Sequence, residues 1–262
     1  IHESWSPATA DCPRLAACYN HYSADYSIDR LNCRLANYPT MSNSNFKHDL
    51  FTQFARVGKA LSNANRLELL EFLAQGERSV DELARVSSLT VANTSQHLQL
   101  LRHAGLVVCH KEGLKVYYSL SGDDVITMLY ALRGVAERHV ADVEKLVNTY
   151  LTVKDELEPL PRQELLERVQ DGLVTVLDVR PPEEYAAGHV AGAVNVPLSE
   201  LEKYLKNINP QQEIVAYCRG PHCVLAFDAV ASLRKKGLKA RRLEDGYPEW
   251  KTAGLPVEVG QG

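Results

Sequence analysis

The chain of 262 residues has few cysteines and no long apolar run. Six cysteines are too few for the disulfide scaffold of a secreted protein of this length, and three of them stand in the first 40 residues. No apolar run approaches the roughly 18 residues that a membrane-spanning helix needs. Neither end carries a polybasic or polyacidic block, and the formal net charge is −4. These absences exclude a transmembrane protein and a disulfide-rich domain, and they predict a cytoplasmic location.

The length favours two domains. Residues 1–40 show neither a signal-peptide pattern nor a regular apolar period, so we expect a disordered extension over residues 1–45. Met41 stands just before the first amphipathic pattern, which suggests a natural start at Met41 and an upstream extension before it. A charged segment with two prolines, residues 154–161, predicts a linker over 153–159. We therefore expect one domain over 46–152 and a second over 160–262.

Helical periodicity dominates the first of these domains. Apolar spacing predicts a helix from Phe46 onward, and three more helices are predicted at 64–74, 80–86 and 90–104. Ser79, followed three residues later by Glu82, predicts a capping box at the start of the helix at 80–86. Two strand-like runs that flank residues 111–113 predict a β-hairpin. A final helix is expected over 123–150, with an apolar stripe too long for a small domain to bury by itself. This mainly α layout predicts a winged helix-turn-helix and a dimer.

The helix predicted at 90–104 carries the polar side chains of a DNA reader. Short hydrogen-bonding groups lie near its N-terminus and suit base edges in the major groove: Asn93, Thr94, Ser95, Gln96 and His97. No acidic residue occurs from Arg85 to Lys111, which favours phosphate contact. Positive charge nearby comes from Arg102, Lys111 and Lys115. The pattern alone also fits a protein-interaction domain whose polar helix is merely solvated.

Residues 46–150 resemble the ArsR/SmtB family of bacterial repressors, through the segments LSNANRLELLEFL, TSQHLQLLRHAGLV and EGLKVYYSL. The resemblance implies a homodimer, built on the first and last helices, that binds a pseudo-palindromic operator in double-stranded DNA. Metal-sensing members carry a cysteine pair on the third helix or Asp and His ligands on the last, and this chain has neither set. We therefore expect no metal and no cofactor. Cys109 stands alone on a predicted wing strand and is expected to be structural.

Strands and helices alternate in the second domain, which predicts an α/β fold with a parallel sheet. The predicted strand at 213–217 ends at Cys218, and the loop CRGPHC leads into a helix that begins near Val224. A loop between a parallel strand and a helix N-terminus presents N–H groups that favour a thiolate. Cys218 is therefore a candidate nucleophile, with Arg219 and Gly220 in its loop. The pattern also fits a cysteine that is buried for packing.

Residues 160–258 resemble a single rhodanese domain, through LDVRPPEEYAAGHVAGAVNVP, the cysteine loop and EDGYPEWKTAGLPV. The resemblance implies that Cys218 takes sulfur from a sulfane-sulfur donor as a persulfide and passes it to a thiol acceptor. Arg180 is a candidate for substrate contact. Other residues match the family's first and last motifs and are expected to be structural: Asp178, Glu184, His189, Gly246 and Trp250.

Cys223 departs from the rhodanese pattern, because arginine or serine is frequent at the last position of the loop. Two thiols five residues apart can close a disulfide or a sulfur-bridged link, which makes Cys223 a candidate resolving thiol. Alternatively, Cys223 is only a packing residue at the start of the helix.

Together these features predict a transcriptional repressor whose rhodanese domain senses or handles reactive sulfur through Cys218. Two alternatives stay open. One is a sulfurtransferase with an accessory DNA-binding or dimerisation domain, so that enzymatic activity is undecided at this point. The other is a repressor that responds to metal or arsenic.

Overall fold

A computed structural model describes residues 43–152, 159–205 and 212–260. The extension predicted over 1–45 and the linker predicted over 153–159 lie outside the described residues, apart from positions 43–45 and Pro159. The chain divides at Arg56 into two units, residues 1–56 and 57–262. No described helix is long and apolar enough to cross a membrane.

Helices and one small sheet make up the first part of the described chain. The helices are α1 (Asn43–Leu61), α2 (Ala64–Ala74), α3 (Val80–Val86), α4 (Val91–His103), α5 (Asp123–His139) and α6 (Ala141–Val147), with a π-helical turn at Asn148–Thr152. The strands β1 (Arg78–Ser79), β2 (Val107–Glu112) and β3 (Lys115–Leu120) pair antiparallel in the order β1-β3-β2. The predicted hairpin is β2 and β3, whereas β1 is too short to leave a period in the sequence.

Side-chain caps start the helices of the helix-turn-helix part, by which we mean residues 57–152, and buried leucines pack these helices together. Asn63 accepts a hydrogen bond from the N–H of Arg66 at the start of α2. Ser79 accepts from the N–H of Glu82, and the Glu82 carboxylate accepts from the N–H of Ser79, which forms the predicted capping box of α3. The core between these helices contains leucines with 0% exposure: Leu69, Leu70, Leu83, Leu98 and Leu101.

The prediction of one continuous helix over 123–150 is wrong. The backbone of Val140 is extended, with φ −109° and ψ 101°, and it separates α5 from α6. The apolar period continues through this point, and neither proline nor glycine marks it, so periodicity could not locate the break. Valine is β-branched and accommodates an extended backbone readily.

The second part of the described chain is an α/β domain, as predicted. Its helices are α7 (Arg162–Gln170), α8 (Pro182–Ala187), α9 (Leu201–Tyr204), α10 (Val224–Lys235) and α11 (Tyr247–Thr252), with a 3-10 turn at Leu198–Glu200. Parallel strands follow the order β6-β4-β7-β8: β4 (Val174–Asp178), β6 (Val194–Asn195), β7 (Glu213–Tyr217) and β8 (Ala240–Arg242). The sequence did not predict the antiparallel pair of β5 (His189–Val190) and β9 (Val257–Glu258), because each of these strands has only two residues.

Both faces of the parallel sheet are covered, which explains why its strands are apolar throughout rather than alternating. Ile214 and Ala216 of β7 face a core that includes residues of α9 and α10. Val215 and Tyr217 face the opposite core, where Trp250 of α11 is 1% exposed. β7 therefore runs through the middle of the domain and delivers Cys218, the next residue, to the carboxyl edge of the sheet.

Candidate functional site

The surface of α4 carries most, but not all, of the residues predicted to read DNA. Asn93 and Gln96 are exposed, and Ser95 and His97 are half-buried. Thr94 is 0% exposed, and its hydroxyl donates to the carbonyl of Thr90 at 3.0 Å. The prediction that Thr94 contacts DNA is therefore wrong, because its side chain faces the core and holds the first turn of the helix.

The hairpin of β2 and β3 projects the basic residues of the predicted wing. Lys111 and Lys115 are exposed on it, and Arg102 is exposed at the end of α4. His110 on β2 lies 3.3 Å from the carboxylate of Glu77, between Nδ1 and Oε2. An acidic group from outside residues 85–111 thus reaches this surface, which the sequence alone did not indicate.

Cys218 lies at the end of β7 and is 1% exposed. The structure joins it in a disulfide to Cys223, the residue that precedes α10, across a Cα–Cα distance of 6.1 Å. Within the loop, the N–H of Cys223 donates to the carbonyl of Gly220 at 3.1 Å. Cys223 also packs against the core of the second domain at the start of α10, so the structure contains both the disulfide and the packing contact.

Gly246 is the residue at which the start of α11 comes closest to the cysteine loop. A Cβ atom there would lie 2.3 Å from the nitrogen of Gly220 and 2.4 Å from the carbonyl of Arg219. The N–H of Tyr247, the next residue, donates to the carbonyl of Cys218 at 3.1 Å. Only glycine permits this contact, so Gly246 fixes the loop from the side of α11.

Comparison with known proteins assigns the two halves of the described chain. Residues 63–108 match the model of the bacterial regulatory proteins of the arsR family, and residues 161–253 match that of the rhodanese-like domain. The HTH-type transcriptional regulator Rv0324 of Mycobacterium tuberculosis is 44% identical over 217 residues, which cover 83% of this chain and 95% of that protein. The chain belongs to the arsR family of transcriptional regulators. It carries a rhodanese-like domain after the winged helix-turn-helix, which confirms the predicted family and fold class.

Shorter relatives match the DNA-binding half of the regulator. The cadmium resistance transcriptional regulatory protein CadC of Listeria innocua is 32% identical over 103 residues, which cover 39% of this chain and 77% of that protein. A solution NMR structure of the homodimeric winged helix-turn-helix domain of Mb0332 from Mycobacterium bovis is 39% identical. The match covers 39% of this chain and 94% of the chain in the NMR structure, with a TM-score of 0.36.

The cysteine loop of the regulator contacts the helix-turn-helix part through Gln75. This residue caps the C-terminus of α2 and is 2% exposed. Its Nε2 donates to the carbonyl of Arg219 at 3.3 Å, and its Oε1 accepts from Nη1 of Arg180 at 3.0 Å. A single buried amide therefore bonds both to the residue after Cys218 and to the arginine of the first rhodanese motif.

A second contact joins the two parts through the buried carboxylate of Glu184. Nη2 of Arg219 donates to Oε1 of Glu184 at 2.8 Å, and Nη2 of Arg78, on β1, donates to the same oxygen at 2.7 Å. The guanidinium of Arg219 also lies over the ring of Phe72, 5.0 Å from its centroid. The loop arginine is thus held by groups from both parts of the regulator.

Arg180 occupies a closed network rather than an open substrate site. It is 0% exposed, and its Nη2 donates to Oδ2 of Asp178 at 2.6 Å and to the carbonyl of Gly188 at 2.7 Å. Tyr217 donates to the same carboxylate oxygen at 2.6 Å. Burial, with the Asp178 charge beside it, raises the pKa of Tyr217 well above its ordinary value, so the phenol stays protonated and donates. These contacts favour a structural role for Arg180 over substrate contact.

Helix α5 provides a further set of contacts beside the loop. Nη1 of Arg133 lies 2.9 Å from Oε1 of Glu249, whose other oxygen accepts from the N–H of Gly246. Nε2 of His222, in the loop, lies 3.2 Å from Oε1 of Glu137 on α5. Burial lowers the pKa of His222, and Glu137 opposes that shift. His222 is therefore half-buried against α5.

Gln75 and Arg78 are the functional candidates that sequence reasoning missed. Both stand at the junction between α2 and α3, where a polar residue ordinarily faces water, and no spacing distinguishes them from solvated residues. Their burial depends on the second domain, which is far away in the sequence. Among the described residues no group of three His, Cys, Asp or Glu side chains is placed to hold a metal ion. Cys109 is a free, half-buried thiol on β2.

Proposed function

We propose that the regulator is a repressor that binds operator DNA as a homodimer and senses sulfane sulfur through Cys218. The observation that carries this proposal is the Cys218–Cys223 disulfide in a loop that bonds to the helix-turn-helix part. A thiol pair that closes and opens there gives the loop two chemical states. Allosteric control requires that the two states differ in their contacts with the DNA-binding elements. A DNA partner implies a cytoplasmic site of action.

The proposed DNA surface combines α4 with the wing. Asn93 and Gln96 offer amide groups that can pair with base edges in the major groove. Lys111 and Lys115 are exposed on the hairpin beside α4, where they can contact phosphates. We therefore propose α4 as the recognition helix and the β2–β3 hairpin as the wing that holds the DNA backbone.

The proposed homodimer would cover apolar side chains that the single chain leaves in water. Such side chains occur on α1, α5 and α6: Phe51, Phe54, Leu132, Val135 and Leu146, each between 41% and 67% exposed. Apolar surface that recurs along helices is typical of an interface rather than of a solvated face. A second copy of the chain is the proposed partner, because a dimer presents two recognition helices to a pseudo-palindromic operator.

The proposed sensing reaction takes place in two steps. The Cys218 thiolate attacks the outer sulfur of a persulfide donor, RSSH, so that a bond from Sγ to sulfur forms and the RS–S bond breaks. The donor leaves as the thiolate RS⁻, and Cys218 becomes a persulfide. The Cys223 thiolate then attacks Sγ of Cys218 and releases HS⁻. The two cysteines are oxidised to the disulfide, and the sulfane sulfur is reduced to sulfide.

Intact-protein mass spectrometry tests this chemistry. After treatment of the reduced regulator with glutathione persulfide, we expect the wild type to lose two hydrogens as the disulfide forms. Cys223→Ser should instead retain one added sulfur on Cys218, because no resolving thiol is present. Cys218→Ser should gain no sulfur in the loop, and Cys109→Ser serves as the matched control that behaves like the wild type. Added sulfur retained in the loop of Cys218→Ser, or a wild type that does not lose two hydrogens, would contradict the proposal.

Turnover and metal binding separate the proposed sensor from its alternatives. Cys218 is 1% exposed and the helix-turn-helix part bonds to its loop, which favours a sensor over a sulfurtransferase that must admit a second substrate at each turnover. Sustained sulfur transfer to cyanide or thiols without an effect on operator binding would favour the enzyme. Stoichiometric zinc or arsenite binding that releases operator DNA would favour a metal- or arsenic-responsive repressor.

A further inference from the structure

Two buried contacts join the cysteine loop to one short segment of the helix-turn-helix part. We propose that Gln75 and the Arg78–Glu184–Arg219 cluster transmit the chemical state of the Cys218 loop to helices α3 and α4. This inference rests on the proposed function and names the residues through which the sensor would act. None of these four residues belongs to the disulfide or to the proposed DNA surface.

The first contact, between Gln75 and Arg219, depends on the position of the loop backbone. Nε2 of Gln75 donates to the carbonyl of Arg219, one residue after Cys218, at 3.3 Å. The disulfide constrains the loop between residues 218 and 223, so its opening or its replacement by a persulfide frees that carbonyl to move. Gln75 is 2% exposed, and a buried amide that loses a partner has no water to replace it. When the loop moves, Gln75 must therefore follow the carbonyl or lose the hydrogen bond, and either change displaces the C-terminus of α2.

The second contact, through the Glu184 carboxylate, depends on the position of the Arg219 side chain. Glu184 is 1% exposed, and one of its oxygens accepts from both Arg219, at 2.8 Å, and Arg78, at 2.7 Å. A buried carboxylate between two guanidinium groups holds both in place, because each charge needs it as a partner. Displacement of Arg219 therefore changes the environment of Arg78.

Both contacts converge on the start of the helix-turn-helix. Arg78 belongs to β1 and pairs with Tyr118 of β3, the strand that forms one side of the wing. The next residue, Ser79, is the N-cap of α3 and accepts from the N–H of Glu82. A shift of β1 thus moves the wing strand and the first helix of the motif together. Both Arg78 and Gln75 are buried, so neither acts by touching DNA itself.

The response ratio is the measurement that tests this inference. It is the dissociation constant for operator DNA of the sulfur-treated protein divided by that of the reduced protein. Allosteric couplings are commonly about 5-fold to 150-fold, and we expect the wild-type ratio to depart from one by a factor in that range. Gln75→Met keeps the volume and removes the three side-chain hydrogen bonds of Gln75, to Arg219, Arg180 and the carbonyl of Glu71. Its ratio should lie within about twofold of one. Its formation of the loop disulfide on sulfur treatment and its reduced-state operator affinity should remain near the wild type.

Two further variants keep the test decisive. Arg78→Lys retains the positive charge but loses the guanidinium geometry, so its response ratio should also move toward one. This variant replaces Gln75→Met as the test if Gln75→Met does not fold. Gln163→Met is the matched control, because Gln163 is exposed on α7, and it should retain the full response. A folded, dimeric Gln75→Met or Arg78→Lys that forms the loop disulfide and keeps the wild-type ratio would overturn the coupling proposal alone. A wild-type ratio of one would instead refute the proposed function, and the coupling with it.

Discussion

The close contact between Gly246 and the cysteine loop leaves no room for a side chain at position 246. In Gly246→Ala the new Cβ would lie 2.3 Å from the nitrogen of Gly220, whereas ordinary contact begins at 3.4 Å. The atoms that it meets are backbone atoms, which cannot rotate away, so α11 and the loop must separate by about 1 Å. That movement stretches the bond from the N–H of Tyr247 to the carbonyl of Cys218. Overpacking of about 1 to 3 kcal/mol and a lost hydrogen bond of about 1 kcal/mol together predict a loss of about 2 to 4 kcal/mol.

Tryptophan fluorescence during urea unfolding of the protein with the Cys218–Cys223 disulfide closed, the state that shows this contact, measures the loss. The chain has two tryptophans, and in a Trp5→Phe background Trp250, buried in α11, reports on the rhodanese-like domain alone. We expect the midpoint to fall by roughly 1 to 2 M urea. Gly58→Ala is the control, because nothing lies within 4 Å of its Cβ position, and it should leave this transition unchanged. A midpoint for Gly246→Ala equal to that of the background would refute the close-contact argument.

Three other predictions concern DNA, assembly and pH. In anisotropy titrations, Gln96→Ala should lose about 1 to 3 kcal/mol of operator affinity. Lys111→Ala should mainly reduce the salt dependence of operator binding. Wild-type binding by both variants would contradict the proposed DNA surface. Val135→Asp should sediment as a monomer, whereas the exposed control Leu173→Asp should remain a dimer. Burial raises the pKa of Glu71 above 4.5, so the folded state holds its proton longer than the unfolded state. Stability should therefore fall as the pH rises through that raised pKa, and Glu71→Gln should abolish this loss in urea titrations; an unchanged pH profile would contradict it.

The sequence predicted those features that depend on neighbouring residues. The capping box at Ser79, the hairpin and the strand that ends at Cys218 each follow from local spacing, and the structure contains all three. The break at Val140 and the burial of Thr94 depend on packing, which periodicity does not resolve.

The missed contacts between the two parts of the regulator depend on long-range burial. Gln75 and Arg78 look like solvated residues at a helix end, and their buried partners in the second domain, Arg180 and Glu184, are more than 100 positions away. Glu184 was expected to be structural within the rhodanese motif. Its second partner on β1 has no signature in a single sequence.

Operator binding as a function of thiol state tests whether the Cys218 loop controls the DNA-binding elements. Duplexes selected from a random library would be titrated with reduced protein, and again after treatment with glutathione persulfide, at one fixed salt concentration because phosphate contacts depend strongly on salt. We predict that the dissociation constant of the wild type changes at least about fivefold and returns on reduction, whereas that of Cys218→Ser does not change. An unchanged dissociation constant in wild-type protein whose Cys218 has reacted, as shown by mass spectrometry, would show that the cysteine loop does not control DNA binding.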